Sequence, residues 1–322
     1  MKQNNYLLNL LKVTIFSFLL IATAPVRAEI KVVTTIKPLH SLIANVMDGV
    51  GEPSLIIEGS TSPHSFTLKP SHAKLLEEAD LIFWVGEGIE TFMEKPLESI
   101  VKNAEVVEFM EVESIEKLKF REESIYGDHD DHDDHDDHDD HDDHDDHAGH
   151  EGHNHGEFDA HIWLDPMNAK EMVHEIAHEL GHLDPTNKDK YEANADATIL
   201  ALDQLIEDVS KGINKDAKFV VFHDAYQYFE ERFGVRAEGA LTLNTDVLPG
   251  AKQIDEIQDV IKDRGVNCIF SEPQFNPKII TTIAKDTNIK TGVFDPLGAN
   301  INSDKDLYFK LISNLGSELK GC

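Results

Sequence analysis

Leu81-Ile82-Phe83-Trp84-Val85-Gly86 is an unbroken apolar run closed by a glycine. A strand with one wet face alternates apolar and polar residues, so a run with no polar position reads as a strand buried on both faces, the pattern of a parallel sheet. Upstream, Ile30-Lys31-Val32-Val33-Thr34-Thr35 reads as a first strand and Ser54-Leu55-Ile56-Ile57 as a second. Between them Lys37-Pro38 opens a helix with Leu39, Leu42, Ile43, Val46 and Met47 at helical spacing. Lys69-Pro70-Ser71 precedes another, with Ala73, Leu75, Leu76 and Ala79 inward. Short apolar strands alternating with helices predict βαβ units, in a lobe reaching to about residue 125.

The pattern resumes at Phe158. Asp184-Pro185 predicts a helix start, followed by a long helix through Tyr191, Ala195, Ile199, Leu202, Ile206 and Val209 that ends near Gly212. Such a helix is long enough to bridge two lobes. Phe219-Val220-Val221-Phe222 opens a second βα lobe, with an amphipathic helix at Ile254, Ile257, Val260 and Ile261 and further strands at Cys268–Phe270 and Thr291–Phe294. The expected fold is α/β, two Rossmann-like lobes with mainly parallel sheets joined by a long rigid helix. The expected boundaries are 29–183, 184–212 and 213–322.

Charge and leader narrow the class. Lys2 and Lys12 precede the apolar run Val13–Ala22, and Ala24-Pro25-Val26-Arg27-Ala28 suits signal-peptidase cleavage, so 1–28 is expected to be a signal peptide. No later segment is long and apolar enough to span a bilayer, so stable membrane insertion is not expected. The chain of 322 residues carries 61 acidic against 29 basic side chains. That net charge of −32 repels phosphate and argues against nucleic acid as a partner. The two cysteines, Cys268 and Cys322, read as a disulfide in an exported chain, two free thiols being the alternative.

The acidity is concentrated. Residues 127–157 hold thirteen Asp, two Glu and ten His, with no Lys or Arg. Asp and His recur with period three from Asp128 to His147, and no apolar residue interrupts them. A segment of this composition is expected to be a disordered loop. Its imidazoles, His129, His132, His135, His138, His141, His144, His147, His150, His153 and His155, are expected to hold zinc ions weakly. Ordering the loop costs conformational entropy, so each site should be weaker than one prebuilt by the fold.

Four further residues stand near expected strand ends: His64 in Ser62-Pro63-His64-Ser65-Phe66, His161 in Asp159-Ala160-His161-Ile162-Trp163-Leu164-Asp165-Pro166, His223 after Phe222, and Asp295 after Phe294. Ligand sites of open α/β sheets lie beyond the carboxyl ends of strands. Three imidazoles and a carboxylate suit tetrahedral Zn²⁺, although spacing alone does not bring these four together.

The mature chain resembles the metal-binding proteins of ABC importers, the cluster A-I (cluster 9) type, and within it the zinc-binding ZnuA branch. The resemblance runs through nearly all of 30–322. It rests on Lys37-Pro38, Ser62–Phe66 with Lys69-Pro70-Ser71, His161–Pro166, Phe222-His223-Asp224-Ala225-Tyr226, Leu248-Pro249-Gly250, Ser271-Glu272-Pro273-Gln274-Phe275 and Asp295-Pro296-Leu297-Gly298. The His-rich acidic insertion and the cysteine pair add to it. The resemblance implies metal in a cleft between the lobes, with His64, His161 and His223 as ligands. Manganese-type relatives carry a carboxylate where His223 stands. Some zinc members have Glu before the first His; here that position is Pro63, which makes Asp295 or a water the expected fourth ligand. His40 approaches the cleft as a lesser candidate, and His72 is expected on a helix surface.

The implied role is capture of Zn²⁺ in the periplasm and delivery to an ABC permease with its ATPase. The protein is expected to be a monomer without catalytic activity, possible partners including a periplasmic zinc donor. A manganese-binding importer component is a minor alternative. The alternative from another class is a zinc metalloprotease, because His174-Glu175-Ile176-Ala177-His178 matches H-E-x-x-H, two imidazoles on one helical face with a Glu to activate water.

Overall fold

The computed structural model describes residues 30–121, 123–125, 157–243, 245 and 249–322. The expected leader, and residues 127–156 of the expected loop with all ten of its histidines, lie outside the described residues.

The buried run read above forms β3 (Leu81–Trp84), with all four residues buried. It pairs in parallel with β1 (Val32–Thr34) on one side and β4 (Glu105–Glu108) on the other, and β2 (Ser54–Leu55) completes the order β2-β1-β3-β4. β4 is absent from the sequence reading because Glu-Val-Val-Glu at a sheet edge shows neither an apolar run nor a clean alternation. The second sheet has the same design: β5 (Phe219–His223), β6 (Gly239–Thr242), β7 (Cys268–Ser271) and β8 (Lys290–Val293) run parallel in the order β6-β5-β7-β8. β6, Gly-Ala-Leu-Thr, likewise shows no strand signal in the sequence.

Helix α1 (Lys37–Val46) starts at the expected Lys-Pro, with Pro38 in its first turn, where a missing N–H costs nothing. Helix α2 (Pro70–Glu78) begins at the expected Pro70, and α3 (Glu94–Ser99) follows β3. Two long helices then run consecutively, α4 (Pro166–Leu183) and α5 (Lys188–Gly212). The expectation that the second starts at Asp184-Pro185 is corrected. The Asp184 carbonyl accepts from Asn187 N at 3.1 Å, and its carboxylate accepts from the Asn187 amide at 2.6 Å. These bonds close a turn around Pro185, so the helix opens three residues later. The Asp-Pro pair that does start a helix is Asp165-Pro166, whose carboxylate caps α4 by accepting from Met167 N at 2.8 Å.

The second lobe adds α6 (Gln227–Phe233), α7 (Ala251–Asp263), α8 (Lys278–Thr287) and α9 (Leu307–Leu319). The long helix α5 packs on α1 and α4 from the first lobe and on α9 from the second, so it joins the two. Its inward residues Tyr191, Ala195, Leu202, Leu205 and Val209 are buried in a core shared by both lobes. The junction also has a polar lock. Lys37 Nζ donates to the carbonyls of Gly298, Ala299 and Ile301 at 2.6, 3.1 and 2.6 Å. A disulfide joins Cys268 and Cys322, whose Cα atoms are 5.7 Å apart. No helix among the described residues is long and apolar enough to cross a membrane.

Candidate metal centre

Each of the three histidines is held by a different local device. Pro63 opens a single 3₁₀ turn, Pro63–Ser65, that carries His64. Behind it, the Phe66 ring stacks on His72 at 5.5 Å, and His72 Nδ1 accepts from Lys69 N at the start of α2. The expected surface histidine therefore fixes the turn that presents His64. His161 leads into the 3₁₀ turn Ile162–Leu164. That turn is pinned across the lobes: Trp163 Nε1 donates to Pro296 O at 2.8 Å, and Tyr308 Oη donates to Trp163 O at 2.7 Å. His223 is the last residue of β5, so the strand runs one residue farther than expected and includes the histidine.

The three rings meet between the lobes. Their centroids lie 5.2–5.9 Å apart, and one nitrogen from each falls within 4.8 Å of the other two. His161 and His223 are buried, while His64 is half-buried. Ile89, Phe120 and Leu243 line the adjoining cavity.

Two carboxylates, neither anticipated as a functional group, set the ring orientations. Asp159 Oδ1 is 2.6 Å from His161 Nδ1, and Glu272 Oε1 is 2.7 Å from His223 Nδ1. A carboxylate accepts there, which puts the ring proton on Nδ1 and turns Nε2 inward with its lone pair. The two Nε2 atoms are 3.3 Å apart. Two ligands at about 2.0 Å from a tetrahedral Zn²⁺ stand about 3.3 Å from each other. Two inward lone pairs at this distance repel unless a proton or a cation lies between them.

Burial shifts the titrations. Burial and the neighbouring His223 hold the His161 imidazole well below its ordinary value. Burial alone would lower His223 too, but the Glu272 carboxylate raises it overall, helped by Asp224 and Asp159. Burial pushes the Asp159 carboxyl up to about 7, opposed by the hydrogen bond from His161 N and by nearby positive charge, including Arg121.

Asp295 is not brought into this cluster. Its Oδ1 accepts from the Gln274 amide and Leu297 N, and its Oδ2 accepts from Ala299 N at 2.6 Å. The carboxylate instead shapes the turn that meets Lys37, whose ammonium its charge supports. Strand order explains the difference. Glu272 follows β7, the neighbour of β5, whereas Asp295 follows β8, one strand farther out. His40 is also elsewhere: its Nε2 donates to Pro53 O at 3.1 Å. Pro63 offers no donor.

A strap, residues 118–121 and 123–125, ties the site to the second lobe. Asp159 N donates to Leu118 O, and Leu118 N donates to Tyr228 Oη, which donates to Asp159 O. Farther along, Arg121 donates to Asp224 at 2.8 Å and Glu230 at 2.6 Å. Ser124 O accepts from Ala240 N on β6, and a Cβ on Gly239 would come within 2.7 Å of that oxygen. Glycine is needed there for the strap to lie on the sheet edge.

Residues 32–322 match the family model described as zinc-uptake complex component A, periplasmic. The chain belongs to the ZnuA family. It is 48% identical over 303 residues to the high-affinity zinc uptake system protein ZnuA of Brucella abortus (strain 2308), covering 90% of this chain and 91% of that one. The corresponding ZnuA of Yersinia pestis is 34% identical over 308 residues, with 95% of each chain covered. A crystal structure of ZnuA superposes with a TM-score of 0.71 at 21% identity, over 90% of this chain and 99% of that one, a likeness of fold. ZnuA proteins are solute-binding components, and this membership gives the protease alternative no support. His174 and His178 are exposed on the outer face of α4, and His178 Nδ1 pairs with Glu179 at 2.8 Å rather than facing a substrate cleft.

Proposed function

We propose that this protein captures Zn²⁺ with high affinity between its lobes, through His64, His161 and His223, and delivers it to an ABC permease energised by a separate ATPase. The 3.3 Å separation of two inward Nε2 atoms carries this reading, because it equals about one edge of a tetrahedral zinc site. Two buried carboxylates behind neutral imidazoles favour a dication and raise ligand basicity. The fourth position falls to water, since Asp295 is engaged by backbone N–H groups.

A set of three nitrogen ligands with no first-contact carboxylate favours zinc over manganese, which prefers oxygen donors. On this reading the protein works in the periplasm after removal of residues 1–28, as a monomer with no covalent chemistry of its own. Residues 29–183 and 213–322 form the two sides of the site and 184–212 the link. The segment 127–157 collects zinc at weaker sites, and a periplasmic donor can supply it.

The test is a competitive zinc titration of the mature protein beside a His64→Ala/His161→Ala/His223→Ala variant. Loss of the tight site with weak sites retained is the expected result. Survival of tight binding would place the site elsewhere.

A further inference from the structure

We propose a second Zn²⁺ site on the outer face of the first lobe, built by His178, Glu179 and His182 of α4 with Glu105 of β4. It does not depend on the cleft assignment. Donor atoms of Glu105, Glu179 and His182 lie within 4.8 Å of one another, and so do those of Glu175, His178 and Glu179. Glu179 belongs to both groups and is the fixed point. Its side chain is only 18% exposed, whereas the imidazoles of His178 and His182 are 74% and 70% exposed. His178 Nδ1 already sits 2.8 Å from Glu179, and His182 Nδ1 sits 3.7 Å from Glu105.

Three arguments make this a cation site rather than a solvated patch. Histidines four apart on a helix share a face and can grip one metal ion. The ion-pair partners of Glu105 and Glu179 among the described residues are these imidazoles, not a Lys or Arg, so no fixed cation among the described residues offsets the negative charge. His182 stands in the last turn of α4, where the helix end itself favours a cation. Two imidazole nitrogens with two carboxylate oxygens form a borderline donor set that suits zinc. The metal-binding capacity of the H-E-x-x-H segment is thus displaced by one turn: His174 is outside both groups, and the second histidine pairs with a later one and with a strand.

Because two exposed side chains must be immobilised, this site fills after the cleft. The experiment is imidazole NMR on the labelled full chain, with His178 and His182 signals assigned from the exposed-site variants His178→Ala and His182→Ala. ZnCl₂ is then added beyond the equivalents taken by stronger sites. The two signals are expected to move together on one saturation curve, and Glu105→Gln/Glu179→Gln is expected to weaken that curve by roughly tenfold or more. Signals that do not move, that move independently, or that respond identically in the double-Gln variant would overturn the proposal.

Discussion

Glu272 Oε1 stands 2.7 Å from Nδ1 of His223, joining the ends of two adjacent strands, β7 and β5. The contact fixes the tautomer of a buried imidazole and turns its other nitrogen toward His161. Glu272→Ala is expected to weaken zinc binding by about 10–100-fold, the usual cost of losing such a partner. Glu272→Gln keeps an acceptor but not the charge and is expected to fall between. Competitive titration reads both. An unchanged affinity in the alanine variant would mean that His223 is oriented without Glu272.

Zinc binding is expected to weaken with acid from a higher pH than a lone imidazole would set. His223 is raised above its ordinary value and His161 is held well below it. Once pH falls below the His223 value, a proton on His223 Nε2 stands between the two rings, donated toward His161, and zinc must displace it. A raised pKa means this proton is present at higher pH, so apparent affinity falls as pH drops through the His223 value, by about tenfold per unit for one proton. Removing the carboxylate with Glu272→Ala should move this onset to lower pH. Proton release measured on zinc addition across pH checks the sign.

The sequence makes the lobes legible because they depend on local signals, whereas the three histidines stand out only as residues near strand ends and are grouped by the family resemblance, not by spacing. Apolar runs mark β1, β3, β5 and β7, and proline marks the starts of α1 and α2. Strand order is non-local, and it separates Glu272 from Asp295. Both are carboxylates just past a strand, and only the pairing of β7 with β5 decides which one reaches His223. Asp159 was legible in principle, two residues before His161. Its role depends on the ring turning back toward it at 2.6 Å. The misplaced start of α5 has the same origin: Asp165-Pro166 and Asp184-Pro185 are identical locally, and Asn187 diverts the second into a turn.

Arg121 neutralises two buried carboxylates at once. The side chains of Asp224 and Glu230 are 6% and 3% exposed, and both accept from the guanidinium. Arg121→Met leaves both without this partner, and breaking a buried pair in this way costs about 3–5 kcal/mol. Urea unfolding should show that loss. Because Asp224 follows His223 and the strap holds Asp159, zinc affinity should fall as well. Arg121→Lys, which restores charge but not the two-pronged geometry, should recover only part of each. Full stability in Arg121→Met would show that the carboxylates find other partners.

The disulfide is expected to stabilise without touching zinc. Cys268 opens β7, whereas the site lies beyond the opposite end of that strand, at Glu272. The bond ties down the chain end, where Asn267 donates to Cys322 O and Lys290 donates to Gly321 O. For a closed loop of this length the chain-entropy model gives about 4 kcal/mol as an upper figure. Cys268→Ser/Cys322→Ser should lower the urea midpoint accordingly and leave zinc affinity within error of the parent. A weakened zinc site would mean that strain at the start of β7 travels along the strand.

Zinc uptake is expected to proceed without a large closure of the lobes. The long helix α5 is packed into a core common to both. Lys37, from the first lobe, is buried against three carbonyls of the second, Gly298, Ala299 and Ile301. Opening a hinge would strip a buried ammonium of all three acceptors, a cost of several kcal/mol that one metal ion bound between the lobes need not supply. Motion is cheaper at the single turn Pro63–Ser65, which carries the half-buried His64. Small-angle scattering should therefore give the same radius of gyration with and without zinc, while exchange or relaxation measurements localise the response to residues near His64. In Lys37→Met the three carbonyls lose their donor, and a zinc-dependent change in radius should emerge. A large compaction in the unaltered protein would show that the Lys37 contacts break and re-form during capture.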